Sequence, residues 1–362
     1  MAELKLFKSD KFAVGNRTIE MPQQHEFWEE ARKAAREEGV SQDLINKNTS
    51  LLVRSYINQN DLTMEDFRKM LNPALIRANV GSLLSNDNTK PLFETLVESY
   101  VRGVFEKTGR AAELLMGTVN IDQQTTSWYY ADDYSDEDFD FKTIAQGGPI
   151  PVMTIKLAEK KMIQVYKRGG GIELTDEAKA MNFDMLAAFF NRQGLVLGRT
   201  DERMVVDRLL NGYFDDGSDA PEVRGVETTG KLTVLDAWDA QTYMEDETGF
   251  APNRVVMNRK TAKQWTSIET TQGMPIFLQN QLDGTVPDVL ASKPFISKQM
   301  PDGQIMFVDT KFAINEYVFK ALSTENERNI KTQVEGSYTT KTSDYVPFET
   351  KARMIMDLSK SL

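Results

Sequence analysis

Apolar positions recur at helical spacing through much of the first third of the chain. Glu26 to Glu38 is rich in Ala, Glu, Arg and Lys and predicts a helix that stops at Gly39, a residue suited to the left-handed position after a helix end. Met64 to Met70 predicts a short helix. Pro91 to Lys107 predicts another, with Leu92, Leu96 and Tyr100 spaced four apart on one face and Gly109 closing it. Near Gly117 the period changes from helical to alternating. Thr125 to Ala131 (TTSWYYA) is β-branched and aromatic, with Trp128 at its centre, and predicts a strand. Pro151 to Lys167 places Met153, Ile155, Leu157, Ile163 and Val165 on one side and Thr154, Lys156, Lys160 and Gln164 on the other. Thr118 to Arg168 is therefore expected to form a long two-stranded excursion, ended by Gly169-Gly170-Gly171 acting as a hinge. An isolated hairpin is marginal in water, so this one needs support outside its own domain, which points to a partner subunit.

A long helix is expected next. Thr175 is its candidate N-cap, and Asp176 and Glu177 place negative charge on its first turn. The pattern continues to about Leu210 and Gly212, with Leu186, Phe190, Leu197 and Met204 on one side; at 1.5 Å per residue it would span about 50 Å. Gly194 and Gly198 lie inside it and mark either a bend or a close packing contact. Asp215 to Glu222 (DDGSDAPE) reads as a turn-rich linker. Beyond Gly230 the chain predicts mixed α/β structure. Helices are expected over Thr233 to Glu245 and, capped by Asn258, over Lys260 to Ile268, with a Gly- and Pro-containing loop from Gly273 to Pro294. Arg254 to Met257, Gln304 to Val308, Phe312 to Lys320 and Lys351 to Leu358 are expected strands. No internal repeat is evident.

Composition narrows the chemistry. The chain has 362 residues, 40% of them hydrophobic and 27% charged, enough for a substantial core in about two domains. The formal net charge of −11 argues against a protein whose main task is gripping nucleic acid. The absence of cysteine excludes disulfides, thiolate nucleophiles and thiolate metal sites. Met1 to Asp10 carries no signal-peptide pattern, and the most apolar long stretch, Met185 to Gly198, is interrupted by Asn191, Arg192 and Gln193, so a soluble chain with no membrane association is expected.

Candidate catalytic and binding motifs are few. Gly225-Val-Glu-Thr-Thr-Gly230-Lys231 matches the first seven positions of a phosphate-binding loop, but Leu232 stands where Ser or Thr should hold magnesium; a turn entering a helix is the preferred reading. Gly169 to Gly171 lacks the spacing of a dinucleotide cradle. His25, the one histidine, has no nucleophile elbow to accompany it. The acidic run Asp132 to Asp140 is a solvated loop, a hard-cation site, or a salt-bridging surface for a basic patch such as Lys160-Lys161 or Lys167-Arg168. No catalytic residue, cofactor site or metal site is assigned.

The order of the parts resembles the tailed-bacteriophage major capsid proteins, whose fold also builds encapsulin shells. A helical arm leads to a hairpin with an aromatic strand around Trp128. The glycine run and Ile172-Glu-Leu-Thr-Asp176 follow, then a long helix ending Asp207-Arg-Leu-Leu-Asn-Gly212, then Pro221 through Gly225-Val226 into the α/β region. Pro252-Asn-Arg-Val-Val-Met-Asn258 with Thr261, and Phe307-Val-Asp309 before Phe312 to Lys320, also fit. The resemblance covers roughly Pro91 to the C-terminus and implies an α+β capsid fold. Its parts would be an N-terminal helical arm (1–117), an extended β-hairpin loop (118–171), a peripheral domain with a long spine helix (172–228), a mixed α/β axial domain (229–325) and a return to the peripheral domain (326–362).

The resemblance further implies a non-enzymatic subunit that self-assembles into pentamers and hexamers of an icosahedral shell around double-stranded DNA. Portal, scaffolding and decoration proteins would be its partners, with packaged DNA touched only weakly. Assembly would take place in the host bacterial cytoplasm and the mature location would be the virion. Trp128, Gly169, Gly170, Gly171, Gly194 and Gly198 are the candidate assembly and hinge residues. The N-terminal arm is expected to be retained. Lys142 and Lys156 lie in the loop that some relatives cross-link, but no partner Asn is identified, so that chemistry is not carried over. An encapsulin-like cargo shell, a magnesium-dependent α/β enzyme and another phage structural part are the alternatives.

Overall fold

The structure, a computed structural model, describes residues 6–14, 17–22, 24–42, 49–78, 80–85, 90–129, 160–175, 177–181, 183–270, 272–329 and 334–362. The acidic run Asp132 to Asp140, Lys142, Lys156 and the apolar positions Met153, Ile155 and Leu157 lie outside the described residues. For His25 and Trp128 the backbone alone is described. The chain forms two units, each assembled from segments far apart in sequence.

The first unit comprises Met1–Leu114, Lys167–Asp207 and Lys320–Thr342. Its helices are α1 (Gln24–Glu37), α2 (Thr49–Gln59), α3 (Met64–Met70), α4 (Pro73–Arg77), α5 (Val80–Ser85), α6 (Lys90–Thr108) and most of α7 (Phe183–Asn211). A small antiparallel hairpin, β1 (Lys11–Val14) and β2 (Arg17–Glu20), precedes them. Phe27, Ala31, Ala34 and Ala35 of α1 are buried at offsets that put them on one helical face. Leu92, Phe93, Leu96, Val97 and Val101 do the same for α6, and Phe183, Leu186 and Phe190 for α7. Aromatic rings interlock in this core: Phe27 meets Phe7 at 5.3 Å and Tyr56 at 5.0 Å edge-on, and Phe183 stacks on Phe190 at 5.6 Å. Gly39 lies at φ +81°, as the expected helix stop requires.

One polar cluster interrupts this apolar interior. Glu98 of α6 is fully buried and forms an ion pair with Arg54 of α2 and a second, at 3.1 Å, with Arg102 one turn away. Both arginines also donate to the carbonyl of Leu322, Arg102 at 3.1 Å and Arg54 at 2.6 Å. A carboxylate held this way neutralises charge that would otherwise be desolvated without compensation.

The second unit comprises Leu115–Tyr166, Arg208–Phe319 and Ser343–Leu362. Its centre is a five-stranded mixed sheet in the order β7 (Glu222–Val226), β13 (Arg353–Ser361), β10 (Gln304–Val308), β8 (Arg254–Met257), β9 (Lys293–Ile296). The outer pairs β7–β13 and β8–β9 are parallel and the inner two antiparallel. Val255, Met257, Ile305, Phe307, Met354 and Met356 pack in one cluster with Ala237, Ala240 and Met244 of α8 (Val234–Thr248) and with Trp265 of α9 (Arg259–Thr266). The alternate positions Val256, Met306, Val308 and Ile355 are buried as well. Burial on both faces explains why these strands read as continuous apolar runs. Helix α8 opens on a reciprocal capping box, Thr233 with Asp236, and closes at Gly249 with φ +72°. The Asn258 side chain accepts from the Thr261 amide at 2.8 Å, as a cap of α9 should.

A second sheet has the order β3 (Gly117–Asn120), β11 (Ile314–Asn329), β12 (Val334–Pro347), β6 (Tyr166–Thr175), and its two long strands contribute residues to both units. Several expectations are corrected here. The long helix starts at Phe183, not at Thr175; Thr175 ends β6, and its hydroxyl instead accepts from the Ala178 amide of a single 3₁₀ turn. The loop from Gly273 to Pro294 contains α10 (Leu278–Asp283) and the start of β9. The last strand, β13, pairs with β10 and β7 in the five-stranded sheet because Met354, Met356 and Leu358 are apolar in register with that core.

Gly194 and Gly198 sit within one uninterrupted helix, and the packing alternative describes Gly194. A Cβ on Gly194 would lie 2.2 Å from the Val101 carbonyl oxygen, whereas one on Gly198 would meet only ordinary contacts from 3.4 Å outward. Gly194→Ala is therefore expected to lower stability by about 1–3 kcal/mol by forcing α6 and α7 apart. Gly198→Ala should be neutral or stabilising by up to roughly 1 kcal/mol through helix propensity. Urea unfolding of the two variants checks this, and equal midpoint shifts would contradict it.

Candidate assembly surface

The excursion predicted between Thr118 and Arg168 is corrected at both ends: Thr118–Asn120 lies in β3 and Tyr166–Arg168 in β6, strands of the second sheet, and between them stands a two-stranded antiparallel ribbon, β4 (Thr125–Tyr129) with β5 (Lys160–Gln164), in the register Thr125↔Gln164 to Tyr129↔Lys160. Trp128 stands opposite Lys161. The alternation read from the sequence holds where it is described. Ile163 and Val165 are fully buried, in a small cluster with Val346, Ile121, Tyr213, Phe214, Tyr317 and Phe319. Met162 and Tyr166 face the opposite way and are more than half exposed. Among the described residues, Ile163 and Val165 of the inner face thus rest on the ribbon's base, while Met162 and Tyr166 stay more than half exposed.

That base is held by the turn after α7. Tyr213 donates its hydroxyl to the Gln164 carbonyl at 2.9 Å and accepts from the Gln164 amide at 3.0 Å. Burial raises the Tyr213 hydroxyl above its ordinary pKa, which keeps it protonated and able to donate. The turn is itself fixed by Asp219, whose carboxylate accepts from the Tyr213 amide at 2.6 Å and the Phe214 amide at 3.2 Å. Only glycine fits at Gly212: its φ is +80°, and a Cβ there would fall 2.3 Å from the Asp219 carboxylate. The buried Arg353 donates to the carbonyls of Asp219 and Arg208. Arg208 in turn pairs with Asp344 at 3.4 Å and lies over the Tyr213 ring.

A second pin sits beside the first. Lys161 pairs with Asp216 at 3.1 Å, bonds the Ser218 hydroxyl and lies 4.5 Å above the Phe214 ring. Hydrogen bonds from the Ser218 amide and hydroxyl, and then from Lys161, hold the Asp216 carboxyl down at about 2. Lys161 is therefore already committed, and so is Arg168, which faces Asp201 at 3.9 Å. Two of the basic residues considered as counterparts for the acidic run thus have partners of their own.

The glycine run is not where the hairpin ends. Gly169, Gly170 and Gly171 lie in the middle of the ten-residue strand β6, so the expected hinge is corrected to a strand interior. Close neighbours account for the glycines: a Cβ on Gly169 would meet the Thr339 carbonyl at 2.7 Å, and one on Gly171 the Tyr338 ring at 2.3 Å. The Gly170 carbonyl accepts from the Gln193 amide of α7 at 2.7 Å, and Lys341 of β12 reaches Asp201 of α7 at 3.2 Å. The run therefore lets strand, sheet and helix approach closely. Gly225, from the loop matched to a nucleotide motif, lies in β7 against Ser361, and the helix after it starts only at Val234; the turn reading describes this geometry. Among the described residues no group of three or more metal-ligating side chains occurs, and no helix is long and apolar enough to cross a membrane.

With this architecture in view, the relatives fall into one class. A gene-transfer-agent particle capsid aligns at a TM-score of 0.54 and 14% identity, covering 70% of this chain and 91% of that one. The virus-like particle from Pyrococcus furiosus aligns at 0.50 and 8% identity, covering 72% and 98%. These likenesses define the capsid-shell fold. A search of curated protein sequences returns no match. A sequence model described as phage capsid protein matches residues 158–347, more than half of the chain. The chain belongs to the phage capsid protein family. It is a structural major capsid protein, and its place is the capsid of the virion.

Two outcomes are expected. Tyr213→Phe should remove both hydroxyl bonds to Gln164 at a cost of about 1–3 kcal/mol, and faster hydrogen exchange at the Gln164 amide reports it. The Asp216 carboxyl titrates lower in the folded state than its ordinary 3.8, so its contribution is full above about pH 4 and disappears as pH falls towards 2. The melting-temperature gap between wild type and Asp216→Asn should close over that window; a gap that persists unchanged to pH 2 would contradict the assignment.

Proposed function

We propose that this major capsid protein assembles into pentamers and hexamers of an icosahedral shell that encloses double-stranded DNA, with the 118–168 hairpin of each subunit lying on a neighbouring copy. The observation that carries this reading is the ribbon's asymmetry. Its inner face is locked to its own unit by Ile163, Val165 and the Tyr213–Gln164 bonds, and its outer face leaves Met162 and Tyr166 to solvent. A ribbon pinned at its base, with Met162 and Tyr166 exposed on its outer side, is suited to contributing area to a second subunit. Modest contacts repeated around a closed shell then become collectively strong. The net charge of −11 fits a wall that holds packaged DNA only weakly. Assembly in the host bacterial cytoplasm, with a portal protein and with scaffolding or decoration proteins as partners, completes the reading.

A cargo-enclosing shell of the same fold is the second reading. The two differ in what purified particles hold: nuclease-protected double-stranded DNA in the first, a folded enzyme in the second.

Replacing residues 130–159 by a short Gly-Ser turn tests the role of the hairpin. The expected result is a folded subunit, with an unfolding transition close to wild type, that forms no closed particles in negative-stain micrographs. Normal shells from the shortened chain would overturn the proposal.

A further inference from the structure

Helix α7 has an outer face that its own unit leaves uncovered. Met185, Phe189, Arg192, Val196, Arg199 and Arg203 recur at helical offsets and form one stripe. Met185, Phe189 and Val196 are 56%, 58% and 52% exposed, and the three arginines are exposed among and beyond them. Among the described residues none of these arginines takes part in an ion pair. In a chain with a net charge of −11, three arginines aligned on one apolar stripe form a concentrated basic surface.

The chemistry of the stripe limits its occupant. A nucleic-acid backbone would satisfy the arginines but offers nothing to Phe189, Met185 and Val196. A peptide that interleaves carboxylates with aromatic rings would satisfy both. This chain carries such a peptide in its hairpin: Asp132-Asp-Tyr-Ser-Asp-Glu-Asp-Phe-Asp-Phe141, with six carboxylates and three aromatic rings in ten residues. The lengths also agree, since Met185 to Arg203 spans about 27 Å of helix and ten residues of chain reach at most about 33 Å. Two basic residues further along the hairpin already have partners of their own, Lys161 with Asp216 and Arg168 with Asp201.

We propose that the outer face of α7 receives the Asp132–Phe141 segment of a second copy. Arg192, Arg199 and Arg203 meet its carboxylates, and Met185, Phe189 and Val196 meet Tyr134, Phe139 and Phe141. This rests on the reading that the hairpin reaches a neighbour, and it identifies the surface on that neighbour and the charge rule by which the two recognise each other.

The lack of native cysteine makes the test clean. Particles co-assembled from two single-substitution chains, Val196→Cys and Asp138→Cys, are oxidised and run on a non-reducing gel. The expected result is a disulfide-linked dimer at least tenfold more abundant than in particles made from either chain alone. In parallel, the triple variant Arg192→Glu, Arg199→Glu, Arg203→Glu should fold but lose most of its particles. Adding Asp136→Lys, Glu137→Lys and Asp138→Lys to the same chain should restore them, which excludes misfolding as the cause. Failure of the dimer to exceed the single-chain background overturns the proposal. So does a triple variant that forms shells normally but loses packaged DNA, which would make the face a DNA contact. If assembly needs residues 130–159 yet ignores the arginines, this inference fails and the neighbour reading stands; if assembly needs neither, both fail.

Discussion

The carboxylate of Asp219 and the guanidinium of Arg353 hold together the part of the molecule on which the hairpin depends. Asp219 caps two successive amides of the turn after α7, and Arg353, buried, ties the carbonyls of Asp219 and Arg208 to the last strand. Tyr213 is thereby placed where it can bond both backbone groups of Gln164. Without that placement the ribbon would keep only Ile163 and Val165 packed against Val346, Ile121, Tyr317 and Phe319, and two strands on so small a base are marginal. A short polar turn thus sets the direction in which a long element leaves the body, and the unsupported outer face follows from that direction.

The sequence made visible the elements in which burial and periodicity agree. The boundaries of α3, β8 and β10 were read to the residue because an apolar run or a capping residue begins or ends there. The alternation of Ile163 and Val165 against Gln164 identified the inner face of the ribbon. What escaped was structure stabilised by buried polar groups. Strand β12 is mostly polar in sequence, yet Thr339, Lys341, Ser343 and Asp344 are all buried, satisfied by Thr324, Asp201 and Arg208 among others. No hydropathy pattern announces such a strand; its Thr, Tyr and Val content was the available signal. Helix α2 was passed over for lack of a strong periodic face.

The glycines show how one residue type supports different readings. From sequence, a triple glycine suggested a hinge and two helical glycines a bend or a contact. In the fold, Gly169 and Gly171 sit under Thr339 and Tyr338, and Gly194 against the backbone of Val101. All three mark places where a neighbour comes too close for a side chain, backbone at Gly169 and Gly194 and an aromatic ring at Gly171. That requirement depends on partners 90 or more residues away in sequence, which local patterns do not reveal. The candidate surface was legible as an idea, an arm in need of support, while the residues that anchor it were not.

The buried group formed by Arg54, Glu98, Arg102 and the Leu322 carbonyl carries a consequence for timing. Arg102 and Leu322 are 220 positions apart, so the last acceptor emerges from the ribosome long after the helices that await it. At ordinary rates of synthesis that interval is roughly 10–45 s. Until it ends, Arg54 and Arg102 lack the carbonyl that both donate to in the folded unit. The buried polar cluster of the helical unit is thus completed only after most of the chain has been synthesised.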